Sequence, residues 1–265
     1  MAPNIDNLGR AITYLRLSVT DRCNLRCIYC MPASGVPKRH HQDILTFEEL
    51  LRVARVAAGS GIRKIRVTGG EPLVRRGIID LISRLNQIPG IEEITLTTNG
   101  LLLAQAAADL KAAGISRINI SLDSLNPVNL HRITRADVFR RVWAGIEAAD
   151  QVGFSPIKIN VVALRGINDR EILDFARLAR ERPFQIRFIE LMPSAENAGW
   201  ARDRLITIDE IKDLIETTDP LIPIEREVTS GPALRYRQSG AKGEIGLIGP
   251  VSRHFCPTCN RLRLT

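Results

Sequence analysis

Three cysteines, Cys23, Cys27 and Cys30, stand within eight positions in the stretch RCNLRCIYCM, beside Tyr29. The chain has five cysteines, and the other two, Cys256 and Cys259, form a second close pair near its end. An odd count clustered as three plus two suits metal binding better than a disulfide framework. Thiolates are soft ligands for zinc, Cu(I) or iron–sulfur clusters. A structural zinc takes four tetrahedral ligands, so zinc requires a further donor such as His40 or His41. Three thiolates on a [4Fe–4S] cluster would instead leave one iron free to bind a substrate.

The bulk numbers narrow the partners. Lys and Arg number 37 against 29 Asp and Glu, a formal net charge of +8. That excess points to an anionic partner: nucleic acid, nucleotide or acidic protein. Only 5% of residues are aromatic, and no basic run is interleaved with aromatics. A stacking platform for single-stranded nucleic acid is therefore not expected. No apolar run reaches the roughly 18 residues of a membrane span. The opening MAPNIDNLGR lacks the apolar core of a secretory signal. A cytoplasmic, reducing setting is expected.

The elements that would position these cysteines alternate. Strands are predicted over 13–19, 64–68, 93–98, 117–122, 157–164 and 184–191. Helical periodicity fills the gaps in TFEELLRVARVAAG, GIIDLISRLNQ, LLLAQAAADLKAAG, VFRRVWAGIEAADQVG and NDREILDFARLARER. Thr46 and Glu49 have capping-box spacing, and Gly59 is expected to stop that helix. Such alternation means a parallel sheet with right-handed crossovers. Beyond residue 192 the character changes. PSAENAGWARDR reads as a loop, TIDEIKDLIETT as a capped helix, and ALRYRQSG with GEIGLIGP as a hairpin. The end, HFCPTCNRLRLT, is assigned neither helix nor strand.

Strand parity selects the architecture. One parity is apolar: Leu15 and Leu17, Ile65 and Val67, Ile94 and Leu96, Ile118 and Ile120, Ile157 and Ile159, Ile186 and Phe188. The other is polar: Arg16, Arg66, Thr97, Asn119, Ser121, Lys158, Asn160 and Arg187. A sheet with helices on both faces would be apolar on both. A partial barrel with helices outside and a polar interior fits the pattern better. Four cations, Arg16, Arg66, Lys158 and Arg187, then face inward. Unpaired cations are costly to bury. A polyanionic ligand would offset that cost, as would inward carboxylates such as Asp123.

The C-x3-C-x2-C spacing with Tyr29 before the last cysteine resembles the signature of radical S-adenosylmethionine (SAM) enzymes. VTGGEPL, after the second strand, resembles their GGEP-type motif, whose glycines let backbone approach a ligand closely. The closer resemblance is to the GTP 3′,8-cyclase family of molybdenum cofactor biosynthesis. LRLSVTDRCNLRCIYCMP, IRVTGGEPLVRR, LTTNGLLL, INISLDSL, RFIELMP and FCPTCNRLRLT carry it, in order, from residue 15 to the end.

The resemblance implies an α/β fold: a partial (β/α)6 TIM-like barrel of radical SAM type over 1–192, with a C-terminal α+β extension over 193–265. It implies a [4Fe–4S] cluster on Cys23, Cys27 and Cys30, and a second one drawing on Cys256 and Cys259. The third cysteine of that second site would lie past Thr265. The chain is therefore expected either to be truncated or to hold its second cluster poorly, and to be inactive without it. SAM contacts map to Tyr29, Gly70, Ser121 and Met192. GTP contacts map to Arg16, Arg66, Thr97, Lys158, Arg261 and Arg263; Arg187 receives no role. The implied reaction is removal of the ribose C3′ hydrogen of GTP by a 5′-deoxyadenosyl radical, giving 3′,8-cyclo-7,8-dihydro-GTP. An electron donor and a downstream cyclic pyranopterin monophosphate synthase are the implied partners, and a homodimer is compatible with the sequence. Neither nucleic acid nor membrane is expected as a partner. Two readings stay open: another radical SAM enzyme with an auxiliary cluster, of peptide-maturase type, and a non-catalytic zinc module that binds nucleic acid.

Overall fold

A computed structural model describes residues 5–37, 39–193, 198–225 and 231–265. Six strands follow the predicted alternation: β1 (Tyr14–Ser18), β2 (Lys64–Thr68), β3 (Glu93–Thr98), β4 (Ile115–Ser121), β5 (Ile157–Ala163) and β6 (Phe184–Glu190). They lie side by side in that order, all parallel. The helices between them are α1 (Phe47–Gly59), α2 (Ile78–Asn86), α3 (Leu103–Ala112), α4 (Pro127–Thr134), α5 (Phe139–Gln151) and α6 (Ile172–Glu181). The later elements are α7 (Ala198–Arg204), α8 (Ile208–Glu216), β7 (Ile222–Pro223), β8 (Leu234–Arg237), β9 (Glu244–Ile248) and β10 (Arg261–Leu264).

The apolar parity builds the core. Leu15, Leu17, Ile65, Val67, Ile94, Leu96, Ile118, Ile120, Ile157, Ile159, Ile186 and Phe188 are all buried in one cluster with the inner faces of the helices. Each such side chain contributes about 1.5–3 kcal/mol when fully buried. The polar parity faces the other way, into the barrel.

Local signals fix the ends of several helices. Thr46 Oγ1 accepts from Glu49 N at 3.2 Å while Glu49 Oε2 accepts from Thr46 N at 2.7 Å. Thr207 and Glu210 repeat this reciprocal cap on α8. α1 ends at Gly59, its last helical residue, and the left-handed turn follows at Gly61 with φ 98°. The sequence reading overlooked α4. Its signal was Asn126-Pro127: the Asn side chain caps Val128 N at 2.8 Å, and Pro127 starts the helix. PSAENAGWARDR was read as loop, yet Ala198–Arg204 is helical, and buried Ala201 packs that helix against Ile133, Leu164 and Leu191. Residues 194–197 of that stretch lie outside the described residues.

The later strands extend the sheet at both edges. The predicted hairpin forms, with Leu234 opposite Leu247, and its strand β9 also pairs parallel to β6. At the far edge β10 pairs parallel to β1, aligning Arg261 with Tyr14 and Arg263 with Arg16. The final stretch, assigned no element from sequence, is thus a strand. The full order is β10-β1-β2-β3-β4-β5-β6-β9-β8-β7. Among the described residues the edges β10 and β7 do not pair, so the barrel stays open.

Candidate active site at the barrel mouth

The cysteine loop leaves the carboxyl end of β1, where open parallel sheets bind ligands. Cys30 N and Met31 N both donate to Cys27 O, at 2.9 and 3.1 Å, which curls the loop. All five cysteines are free thiols. Burial pushes the Cys27 thiol far up, and nearby Asp123, Cys30 and Cys23 raise it further. As thiolates the three sulfurs would repel one another. A cationic cluster would relieve that repulsion, so the donor set fits one. Among the described residues no three Cys, His, Asp or Glu side chains already stand at metal-ligating distance. His40 is exposed, and the side chain of His41 lies outside the described residues.

The GGEP turn seats this loop. Gly70 N donates to Thr20 O and Glu71 N to Arg22 O, both at 2.8 Å. A Cβ at Gly70 would stand 2.3 Å from the Arg22 carbonyl oxygen. The close approach expected of these glycines is therefore to the cysteine loop's own backbone. With its N–H engaged, Gly70 can offer a ligand its carbonyl. Buried Glu71 accepts from Asn99 N at 2.6 Å, Thr98 Oγ1 at 2.7 Å and Leu73 N at 3.0 Å, tying the turn to the end of β3. Burial raises its carboxyl pKa against the pull of those three donors.

A second tie crosses the mouth. Tyr29 Oη donates to Asp123 Oδ2 at 2.7 Å, and Asp123 Oδ1 accepts from Val162 N at 2.8 Å. Burial lifts the Asp123 carboxyl to about 6, opposed by those two hydrogen bonds. Asp123 is thus engaged with Tyr29, not with the inward cations. For Tyr29 as a SAM contact, this leaves the ring and backbone.

The cations of the polar parity stand in register, from exposed Arg263 on the edge strand inward. Arg263, Arg16 and Arg66 are neighbours across β10, β1 and β2, followed by Thr95 on β3. Thr97, Asn119, Lys158 and Gln185 form another row. Glu93 pairs with both Lys64, at 2.7 Å, and Arg117. Glu244 is held by Arg235, Arg237 and Gln185. Among the described residues no carboxylate pairs with Arg16, Arg66, Lys158, Arg187, Arg261 or Arg263. Their contacts are weaker: Arg16 Nη2 to Thr68 Oγ1 at 3.4 Å, Arg66 Nε to Thr95 Oγ1 at 3.3 Å, and Arg187 Nη1 to Asn119 Oδ1 at 3.1 Å.

Burying these cations together carries an electrostatic cost. Burial pulls Lys158 down to about 7, with Arg187, Arg117, Arg66 and Lys64 adding to it. Burial and then Arg66 bring Arg187 down to about 9. Tyr14 Oη, Asn160 Oδ1 and Arg187 Nε are buried without a partner. A buried unsatisfied polar atom costs about 1–3 kcal/mol. A polyanion bearing donors and acceptors would satisfy both shortfalls.

The structure brings most of the predicted contacts together. Arg16, Arg66, Thr97, Ser121 and Lys158 share the interior parity. Met192 follows β6 and is 62% exposed. Cys256 and Cys259 flank a one-turn helix just before β10, with Cys259 N donating to Cys256 O at 3.2 Å. Burial pushes the Cys259 thiol up, but Arg261, whose Nε donates to its Sγ at 3.3 Å, holds it below its ordinary value. Arg261 and Arg263 are thus residues of the edge strand β10, Arg261 half-buried and Arg263 exposed. Sequence reasoning missed Glu71 as a staple and Glu93 as the carboxylate that Lys64 and Arg117 share.

An open barrel with a three-cysteine loop after its first strand defines a radical SAM enzyme. Residues 17–179 match the Radical SAM superfamily, and residues 184–265 match the Molybdenum Cofactor Synthesis C family. The chain belongs to the GTP 3′,8-cyclase family. It is 54% identical over 262 residues to GTP 3′,8-cyclase of Moorella thermoacetica, covering 98% of this chain and 80% of that protein. Identity to the Geobacter sulfurreducens GTP 3′,8-cyclase is 53% at the same coverages. Solved structures agree on the fold. SuiB of Streptococcus suis bound to S-adenosylmethionine aligns with TM-score 0.60 at 18% identity, over 77% of this chain and 46% of that one. HydG, a maturase of the [FeFe]-hydrogenase, aligns with TM-score 0.58 at 14% identity, over 76% and 48%. No helix among the described residues is long and apolar enough to cross a membrane.

Proposed function

We infer that the chain converts GTP to 3′,8-cyclo-7,8-dihydro-GTP, the first step of molybdenum cofactor synthesis, as its family membership indicates. The observation that best supports this reading is the register-aligned set of interior cations without carboxylate partners, which suits a triphosphate. Arginine forks pair bidentately with phosphate oxygens. In this reading Arg16, Arg66, Lys158, Arg261 and Arg263 bind the triphosphate, with Thr97 as a neutral donor or acceptor. Cys23, Cys27 and Cys30 hold the first cluster, and Cys256 and Cys259 supply two ligands of a second. Tyr29, Gly70, Ser121 and Met192 line the SAM position. When bound, the cluster and SAM supply a 5′-deoxyadenosyl radical able to take the C3′ hydrogen. The chain's own residues orient the ribose toward the cysteine loop and keep water out. We read 1–192 as the barrel and 193–265 as an extension that supplies β9 and β10 to its edges. The product would pass to cyclic pyranopterin monophosphate synthase, and a separate electron donor would reduce the cluster.

Anaerobic turnover with GTP, SAM and a reductant tests the reading. It should yield 5′-deoxyadenosine and a cyclised nucleotide in equal amounts. Deoxyadenosine formation that ignores GTP would contradict it, as would a colourless zinc protein on anaerobic purification.

A further inference from the structure

The end of α4 grips the arc that carries Cys27 and Cys30. Arg26 N donates to Thr134 O at 3.3 Å, and Ile28 N to Ile133 O at 2.9 Å. Arg135 reaches back over the same arc. Its Nη1 donates to Arg26 O at 2.7 Å and to Met31 O at 3.0 Å. Those two carbonyls flank Cys27 and Cys30, so one guanidinium nitrogen pins both ends of the arc.

Arg135 sits in a conformation that does not suit an arginine. It caps α4 in the left-handed region at φ 59°, and no other non-glycine residue among those described has positive φ. Glycine is the usual residue at such a cap. A side chain there costs about 1–2 kcal/mol. Strain of this kind persists where surrounding contacts over-determine it. Here the two carbonyl bonds do so. The other end of α4 is also fixed. Buried Glu171 accepts from Leu125 N at 2.7 Å, Asn126 N at 3.1 Å and Asn129 Nδ2 at 2.7 Å. The helix is therefore a strut between the start of α6 and the cysteine arc.

We propose that Arg135 is a positioning residue for the cysteine loop. It fixes the separation of Cys27 and Cys30 so that their thiols would stay placed to hold the cluster. This rests on the reading that Cys23, Cys27 and Cys30 hold that cluster.

The test uses the full chain, reconstituted anaerobically, as parent, Arg135→Gly and Arg135→Lys. Iron release to a chelator is followed, together with the change in the reduced protein's EPR signal on adding SAM. The thermal midpoint of each cluster-free chain is measured alongside. Arg135→Gly removes both carbonyl bonds and relieves the strained cap. Its thermal midpoint should hold or rise, while iron leaves about tenfold faster, the effect of about 1.4 kcal/mol of lost hydrogen bonding. Its SAM-induced EPR change should weaken. Arg135→Lys, which keeps the charge but not the planar guanidinium and its reach, should fall between. Release at the parent rate overturns the proposal, as does a fall in thermal midpoint that accounts for the iron loss. A parent chain with no SAM-responsive iron would instead overturn the cluster reading itself.

Discussion

Tyr29 on the cysteine loop and Asp123 beyond β4 are joined by a 2.7 Å hydrogen bond across the barrel mouth. The same carboxylate accepts from Val162 N, so one side chain ties the loop to both β4 and β5. Tyr29→Phe should lower the chain's stability by about 2 kcal/mol, the range of a hydrogen bond to a charged group. Chemical denaturation of the cluster-free chain measures this. A loss below a few tenths of a kcal/mol would mean the bond is replaced by water.

The interior cations should separate the two ligands. Arg16→Ala and Arg66→Ala each remove a charge-assisted donor, so GTP affinity should fall about 10- to 100-fold. SAM affinity should stay within about twofold of the parent, because the residues proposed for SAM do not include these arginines. Equilibrium binding of each ligand to the reconstituted protein decides. Equal loss of both would indicate general damage instead of a triphosphate site.

Lys158 gives GTP binding a pH dependence. Its folded-state pKa lies near 7, below the ordinary lysine value of 10.5. Its neutral form is therefore favoured in the empty barrel, and its contribution to stability is full above the ordinary pKa and lost as pH falls through about 7. A bound triphosphate favours the charged form, so binding takes up a proton in the window above pH 7. Affinity should weaken as pH rises from 7 to 8.5, by at most about tenfold per pH unit from this group. Calorimetry in buffers of different ionisation heat should register the proton uptake. Lys158→Met should lose most of both effects.

Gly70→Ala should leave the barrel folded but spoil the loop. The added carbon would meet the Arg22 carbonyl at 2.3 Å, and backbone must move to relieve it. Helical circular dichroism should match the parent, while iron and sulfide bound after reconstitution drop by half or more, on the order of the effect of displacing a site's supporting shell. Full iron content would show that the loop tolerates the shift.

The candidate site was legible in part. Cys23, Cys27 and Cys30 announced themselves by spacing, and Arg16, Arg66 and Lys158 by strand parity. Both signals are local: a loop converges neighbouring thiols, and a strand sends alternate residues to opposite faces. Glu71, Asp123 and Glu93 were harder to read, because each works through a partner far along the chain. The α4 segment carries its own local signal, Asn126-Pro127.

The sequence by itself determined the alternation of strands and helices, the polar face of each strand and the cysteine spacing, because periodicity and loop chemistry act over a few residues. Only the tertiary structure decided which cations keep their charge unpaired. Glu93 pairs with both Lys64 and Arg117, Asp123 is taken by Tyr29, and β10 returns to lay Arg263 beside Arg16. That last pairing joins the two ends of the chain. Strand register across such a separation depends on the whole barrel being in place, and no short-range pattern encodes it.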